Sequence, residues 1–213
     1  MDSFYSSMLV HSTDVELITK KWAQLAKQDG FKIADHESDD LEALAIFSMD
    51  APWTTILLTE GCPAEPEQLS KLLKTSVVDL SVHDGDIWVY AWFRDGEFVD
   101  RHSSVNLHEY FGVDTSLFDD DDYDFSEEEK DNGLSKLTLD QRWKALKNEI
   151  PSDRETFDAV LFPDATTAGE EGLEKFLELL GLPCEIAYMP YDSWIEEQNT
   201  EELVLERQLY FQD

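Results

Sequence analysis

The fold is decided by residues 53–88, which read WTTILLTEGCPAEPEQLSKLLKTSVVDLSVHDGDIW. Glu65-Pro66-Glu67 has the composition of a helix start. Backbone N–H groups of the first turn have no partner within the helix, so proline, which lacks this group, is tolerated there, and acidic side chains are favoured by the helix dipole. Asp95-Gly96, a little further on, predicts a tight hairpin. The stretch and its hairpin therefore predict one helix over 65–73 and four strands over 54–59, 77–82, 87–94 and 97–102.

The first strand of this hairpin is rich in aromatic residues. Side chains alternate along a strand, so two sets share a face each: Trp88, Tyr90 and Trp92 on one, Val89, Ala91 and Phe93 on the other. One face is expected to lie in the core. The other is expected either to be covered by a helix or to form a surface for a partner.

A similar pattern recurs 104 to 106 positions later, over residues 157–194. It predicts a strand over 157–162, a helix over 169–180 and a strand over 184–188. The pair Asp86 and Trp88 then falls on Asp192 and Trp194. Any two strand–helix–strand units have apolar residues at equivalent positions, so these matches are weak evidence for a duplication. Only the matching acids, one matching lysine and the Asp-x-Trp pair are informative about it. An internal duplication and a chance agreement both stay open.

The remaining pattern completes an α+β fold. Helices are predicted over 12–29 and 138–150, the second from the capping-box sequence Thr-x-x-Gln. Strands are predicted over 31–34 and 41–49, and the tail over 203–211 favours a strand. The sequence thus predicts two similar strand–helix–strand units, with mostly antiparallel or mixed sheets flanked by helices. Their bounds are 1–113 for the first unit, 114–134 for an acidic linker and 135–213 for a second, smaller unit. The two units are also compatible with a single domain.

Charge is the most unusual property of the chain. It has 48 acidic and 16 basic residues, for a net charge of −32. The acids are spread over both units and are densest in the linker. A field of this sign repels nucleic acid and anionic membranes and attracts basic proteins or cations. Adaptation to high salt, or solubility alone, would explain the same charge without any partner.

Apolar runs, the N-terminal sequence and the cysteines indicate the cellular location. No run of 18 apolar residues predicts a transmembrane helix, and the N-terminus lacks the basic and apolar regions of a signal peptide. Cys62 and Cys184 show no metal-binding spacing and are expected to be free thiols. The sequence therefore favours a cytoplasmic location.

The search for catalytic or ligand chemistry finds few candidates. Both strand-to-helix loops carry acids where a phosphate would sit, so we expect no nucleotide site. A weak metal or catalytic candidate lies at the turn before the aromatic strand: His83, Asp84 and Asp86, with His102 across the hairpin. Turn carboxylates and exposed histidines are far commoner than such sites. No cofactor is expected.

The sequence best fits a non-enzymatic interaction protein that binds a basic partner. Its general character is similar to that of small acidic bacterial proteins, such as immunity proteins, although this likeness assigns no residues. Exposed aromatics beside carboxylates would anchor the contact, and the candidates are Trp88, Trp92, Asp84, Asp86, Tyr191 and Trp194. A small enzyme or cation-binding protein that uses the site near His83–Asp86 is an alternative, and a nucleic-acid mimic is another.

Overall fold

A computed structural model describes residues 4–34, 42–48, 52–58, 65–83, 87–113, 131–162, 169–183 and 204–212. The strands are β1 Phe4–Val10, β2 Lys32–Ala34, β3 Glu42–Ser48, β4 Thr54–Leu58, β5 Ser76–His83, β6 Ile87–Arg94, β7 Glu97–Ser103 and β8 Val204–Gln212. The helices are α1 Val15–Gln28, α2 Pro66–Leu73, α3 Leu107–Tyr110, α4 Leu139–Leu146, α5 Arg154–Leu161 and α6 Glu170–Leu180.

The described strands form one antiparallel sheet. Their order is β2-β8-β3-β4-β1-β5-β6-β7, and every pairing is antiparallel. The α+β class and the antiparallel pairing are therefore confirmed. The hairpin at Asp95-Gly96 is confirmed too, since both residues have the positive φ, 53° and 84°, that a two-residue turn of this hand requires.

Strand β1 was missed by the sequence analysis, yet it lies near the centre of the sheet between β4 and β5. Its last three side chains, Met8, Leu9 and Val10, are fully buried. They point alternately into two different core clusters. A strand that is apolar on both faces shows no alternation, so a short terminal run of this kind carries no period-2 signal.

Helices cover the two faces of the sheet unequally. On one face, α1 and α2 pack over a cluster that includes Met8, Ile56 and Val77. On the other face, α4, α5 and α6 pack over a larger cluster that contains Trp88 and Phe176. The larger cluster combines residues from both sides of the acidic linker, so the two units share this core.

The strand predicted over 157–162 is wrong, because residues 157–161 form the greater part of helix α5. Asp153 caps it by accepting from the backbone N–H of Thr156 at 2.9 Å. Phe157, Val160 and Leu161 are buried at the i, i+3, i+4 spacing of a helix face. Its counterpart β4 is a strand, so the structure does not confirm an internal duplication.

The C-terminal tail is a strand, as predicted, but its position was not foreseen. Strand β8 lies between β2 and β3 and pairs with both. The strand predicted over 184–188 and residues 114–130 of the linker lie outside the described residues, as do Cys62 and Cys184. No described helix is both long and apolar enough to cross a membrane.

Candidate functional site

The aromatic face of the hairpin belongs to the core. Trp88 and Trp92 are 0% exposed and Tyr90 is 1% exposed. The ring of Phe176 from α6 stacks on both Trp88 and Tyr90, at 5.0 and 4.9 Å between centroids. The expected exposure of Trp88 and Trp92 is therefore wrong, because α6 covers this face and leaves neither side chain free to anchor a partner.

The remaining predicted anchors lie outside the described residues: Asp84, Asp86, Tyr191 and Trp194. They stay predictions.

The two histidines of the predicted metal site lie on opposite faces of the sheet. His83 pairs with Ile87 and His102 with Tyr90, which is three positions further along β6. An odd separation reverses the direction of the side chain. His102 lies against Trp88 in the core, where burial and the charge of Arg142 lower its pKa to about 3. The described part of the chain contains no group of three metal-ligating side chains.

A buried polar network lies beneath the helices. Asp100 Oδ2 accepts from the Tyr90 hydroxyl at 2.7 Å and from Arg142 Nε at 2.9 Å. Its other oxygen accepts from Ser135 Oγ at 2.5 Å. Arg142 also donates to the Tyr90 hydroxyl at 2.7 Å and to the Leu161 carbonyl at 3.0 Å. The network thus joins β6 and β7 to α4, α5 and the segment before α4.

This network is structural. Asp100 is 1% exposed and Arg142 is 3% exposed, so a substrate cannot reach either charge. Both oxygens of Asp100 are hydrogen-bonded, as a buried carboxylate requires. Burial raises the pKa of Tyr90 well above its usual value, so its hydroxyl keeps its proton. These groups hold the helical layer on the sheet.

A second ion pair closes one end of the same layer. Arg94 Nε lies 2.8 Å from Glu149 Oε1 and 3.1 Å from Ser76 Oγ. Its guanidinium also donates to the Ala145 carbonyl at 3.0 Å. Burial lowers the pKa of the neighbouring His11, and the charge of Glu149 partly opposes this effect. The pair connects the end of β6 to the end of α4.

The opposite face of the hairpin is only partly covered. Phe98 is 57% exposed and meets Phe93 edge-on at 5.8 Å. At the other end of β5, Phe111 is also 57% exposed and meets His83 at 6.2 Å. Neither core cluster of described residues includes the side chains between these ends. We call this surface the half-open face: Asp79, Ser81, Val89, Ala91 and Phe93, with Phe98 and Phe111 at its ends.

Asp79 lies in the middle of the half-open face. It pairs with Met8 on one side and Ala91 on the other, both apolar. Among the described residues it has no hydrogen-bond or ion-pair partner, and burial raises its pKa to about 6. Arg101 is the nearest base in register, two strands away or roughly 10 Å at the backbone. Its guanidinium is paired with Asp131.

A second candidate surface is a shallow groove between α5 and α6. Lys175, which lines the groove, and Arg154 of α5 beside it are each paired with neighbouring acids. Lys175 lies 2.6 Å from Glu171, and Arg154 lies 2.7 Å from Asp158 and 2.8 Å from Asp140. The groove is therefore acidic, with these lining residues: Asp153, Glu155, Thr156, Ala159, Val160, Lys175 and Glu178.

Comparison with known proteins shows no relative: no family model, no curated protein and no solved structure matches the chain. Sequence analysis missed Asp79 because it is one acid among 48. The available signal was its position inside an apolar strand, VVDLSV, where a carboxylate is out of place.

Proposed function

We propose that this protein is a non-enzymatic, cytoplasmic acidic protein that binds a basic protein partner, in the manner of inhibitor or immunity proteins. The observation that carries the proposal is the net charge of −32, spread over the whole chain. A field of this size speeds encounter with a basic partner and repels nucleic acid, which we do not expect to bind.

The ion pairs support this proposal. Three arginines, Arg94, Arg101 and Arg154, are each paired with an acid of the same chain. Local pairing neutralises these bases. Acids outnumber bases by 48 to 16, so most acids cannot be paired within the chain. The surface therefore presents carboxylates to a partner, and the partner must supply the positive charge.

The buried ionisable groups favour binding over catalysis. A catalytic acid or base must reach its substrate. Asp100, Arg142 and His102 are each at most 3% exposed, and the first two are used in a hydrogen-bonded network. These three buried groups are thus out of reach of a substrate.

Affinity capture at two salt concentrations tests the proposal. The immobilised protein is incubated with lysate at about 0.05 M and about 0.5 M NaCl, where the screening lengths differ about threefold. Recovered proteins are identified, purified and measured individually. We expect a basic protein whose dissociation constant is in the micromolar range or tighter at low salt and rises with salt.

The control is an unrelated folded protein of similar size and net charge. Equal binding by this control would show that charge alone is responsible and would contradict a specific partner. Recovery of no basic protein at either salt concentration would favour adaptation to high salt or solubility as the reason for the charge.

A further inference from the structure

We propose that the basic partner docks on the half-open face, with a lysine or arginine side chain placed against Asp79 between Phe98 and Phe111. This inference rests on the proposed function and assigns its contact site. It places the partner on the face of the hairpin opposite Trp88 and Trp92.

The described helices cover the two faces of the hairpin unequally. In the middle of β5 and β6, the side chains of Leu80 and Tyr90 face α4–α6 and are buried, whereas the side chains on the other face are only partly buried: Asp79, Ser81, Val89 and Ala91. Two aromatic rings, Phe98 and Phe111, are each 57% exposed at the ends of this surface. Aromatic side chains are enriched in protein interfaces relative to the rest of the surface.

The centre of the half-open face carries a carboxylate that no described residue pairs. Asp79 lies between Met8 and Ala91 with no partner among the described residues. A partly buried carboxylate is unfavourable unless it is paired. A cationic head group would supply the missing charge, and its aliphatic stem would pack against Ala91 and Val89. The surface therefore complements a segment that carries one basic residue among apolar ones.

The groove between α5 and α6 is the competing site. Glu155 and Glu178 are exposed to solvent there, and Asp153 is already used in capping α5. Exposed ion pairs contribute little, because water and salt screen them. A cation at Asp79 is screened less, so the half-open face offers the stronger and more specific contact.

Matched charge variants distinguish the two surfaces. Asp79→Asn and Glu155→Gln each remove one negative charge, but on opposite faces of the sheet. The probe is a synthetic peptide in which lysine alternates with valine, and its comparison peptide carries glutamine in place of lysine. Calorimetry gives the dissociation constants, and amide chemical shifts locate the bound peptide.

We expect the lysine peptide to shift the amides of β5 and β6 around Asp79 and Ala91. Asp79→Asn should weaken its binding by roughly tenfold, as loss of a central contact does, and Glu155→Gln by less than about twofold. Phe98→Ser, on an exposed side chain that the core does not need, should weaken binding without changing the net charge.

Three results would overturn this inference. Equal weakening by Asp79→Asn and Glu155→Gln would mean that only the overall field binds. Weakening by Glu155→Gln alone would place the partner in the groove. In both cases the proposed function stands and only the site is wrong. Failure of the unmodified protein to bind the lysine peptide more tightly than the glutamine peptide would contradict the function and the site together.

Discussion

Two aspartates of the sheet have opposite surroundings, although they lie two strands apart. Asp100 is almost fully buried but accepts three hydrogen bonds, from Tyr90, Arg142 and Ser135. Asp79 is less buried and accepts none from the described residues. Pairing therefore matters more than depth of burial for the stability of a carboxylate.

Replacement of Asp79 tests this argument at one residue. Asp79→Asn should raise the free energy of unfolding at pH 7 by about 1–3 kcal/mol, since each pKa unit corresponds to about 1.4 kcal/mol. The native pKa, about 6, is above the usual 3.8. The native state therefore keeps this proton up to a higher pH than the unfolded chain does. The stability that the protonated Asp79 contributes is thus lost as the pH rises through 6.

Urea unfolding of both proteins from pH 5 to pH 8 measures this effect. The range begins at pH 5 because proteins are least soluble near their isoelectric point, which for this chain is about 4.2. The gain from Asp79→Asn should grow between pH 5 and 7 and then level off. A gain that does not change with pH would show that ionisation of Asp79 is not its cause.

Arg142 is the residue on which the buried network depends most. Arg142→Met should lower the free energy of unfolding by about 3–5 kcal/mol, because the charge of Asp100 is left buried and unpaired. Thermal or urea unfolding gives the loss. The matched control is Arg154→Met, which removes two ion pairs at the surface, with Asp140 and Asp158, and should change stability little.

The double variant Arg142→Met with Asp100→Asn separates two explanations for this loss. It should recover part of the stability if the unpaired charge is the cause. No recovery would indicate that the packing of the Arg142 side chain, rather than its charge, stabilises the structure.

At the scale of elements, α5 shows why a short apolar segment can be misread. Its buried positions 157, 160 and 161 fit a helix, but the apolar run that ends at Phe162 also resembles a strand. The deciding feature is local: the Asp153 carboxylate accepts from the backbone N–H of Thr156 and so caps the first turn of the helix. An N-cap therefore deserves more weight than an apolar run when the run is shorter than two helical turns.

Helix α4 begins with a complete capping box. Gln141 N donates to Thr138 Oγ1 at 3.3 Å, and Thr138 N donates to Gln141 Oε1 at 2.9 Å. Thr138→Ala should cost about 1 kcal/mol of unfolding free energy, because the first turn loses its side-chain acceptor. Thr138→Ser keeps that acceptor and is the control in the same urea titration. Equal losses in both variants would contradict a capping role.

At the scale of the whole molecule, the charge should weaken the fold that carries it. A net charge of −32 repels itself within the compact state, and salt screens this repulsion. We expect the midpoint of thermal unfolding to rise as NaCl is increased from about 0.02 M to about 0.5 M. Sodium and potassium chloride should act alike if screening is the cause.

The double variant Glu155→Gln with Glu178→Gln checks this explanation, because both acids are exposed on one helical surface. It should be more stable than the unmodified protein at low salt and depend less on salt. An unchanged dependence on salt would show that these acids contribute little to the repulsion.

The sequence by itself determined what depends on neighbouring residues. The α+β class, the hairpin at Asp95-Gly96, the strand at the tail and the capped helix at Thr138 were all predicted from turn chemistry, capping and local periodicity. These features are stabilised by contacts between residues a few positions apart, so a local pattern is sufficient to indicate them.

Only the tertiary structure decided which face of each element is buried. Alternation separated Trp88 from Val89, but the packing of Phe176, 88 positions after Trp88, made the first a core residue. The central place of β1 and the insertion of β8 between β2 and β3 depend on pairings of the same long range. The half-open face, where Asp79 has no partner among the described residues, follows from these distant contacts, because the packing of α4–α6 buries only the other side of β5 and β6.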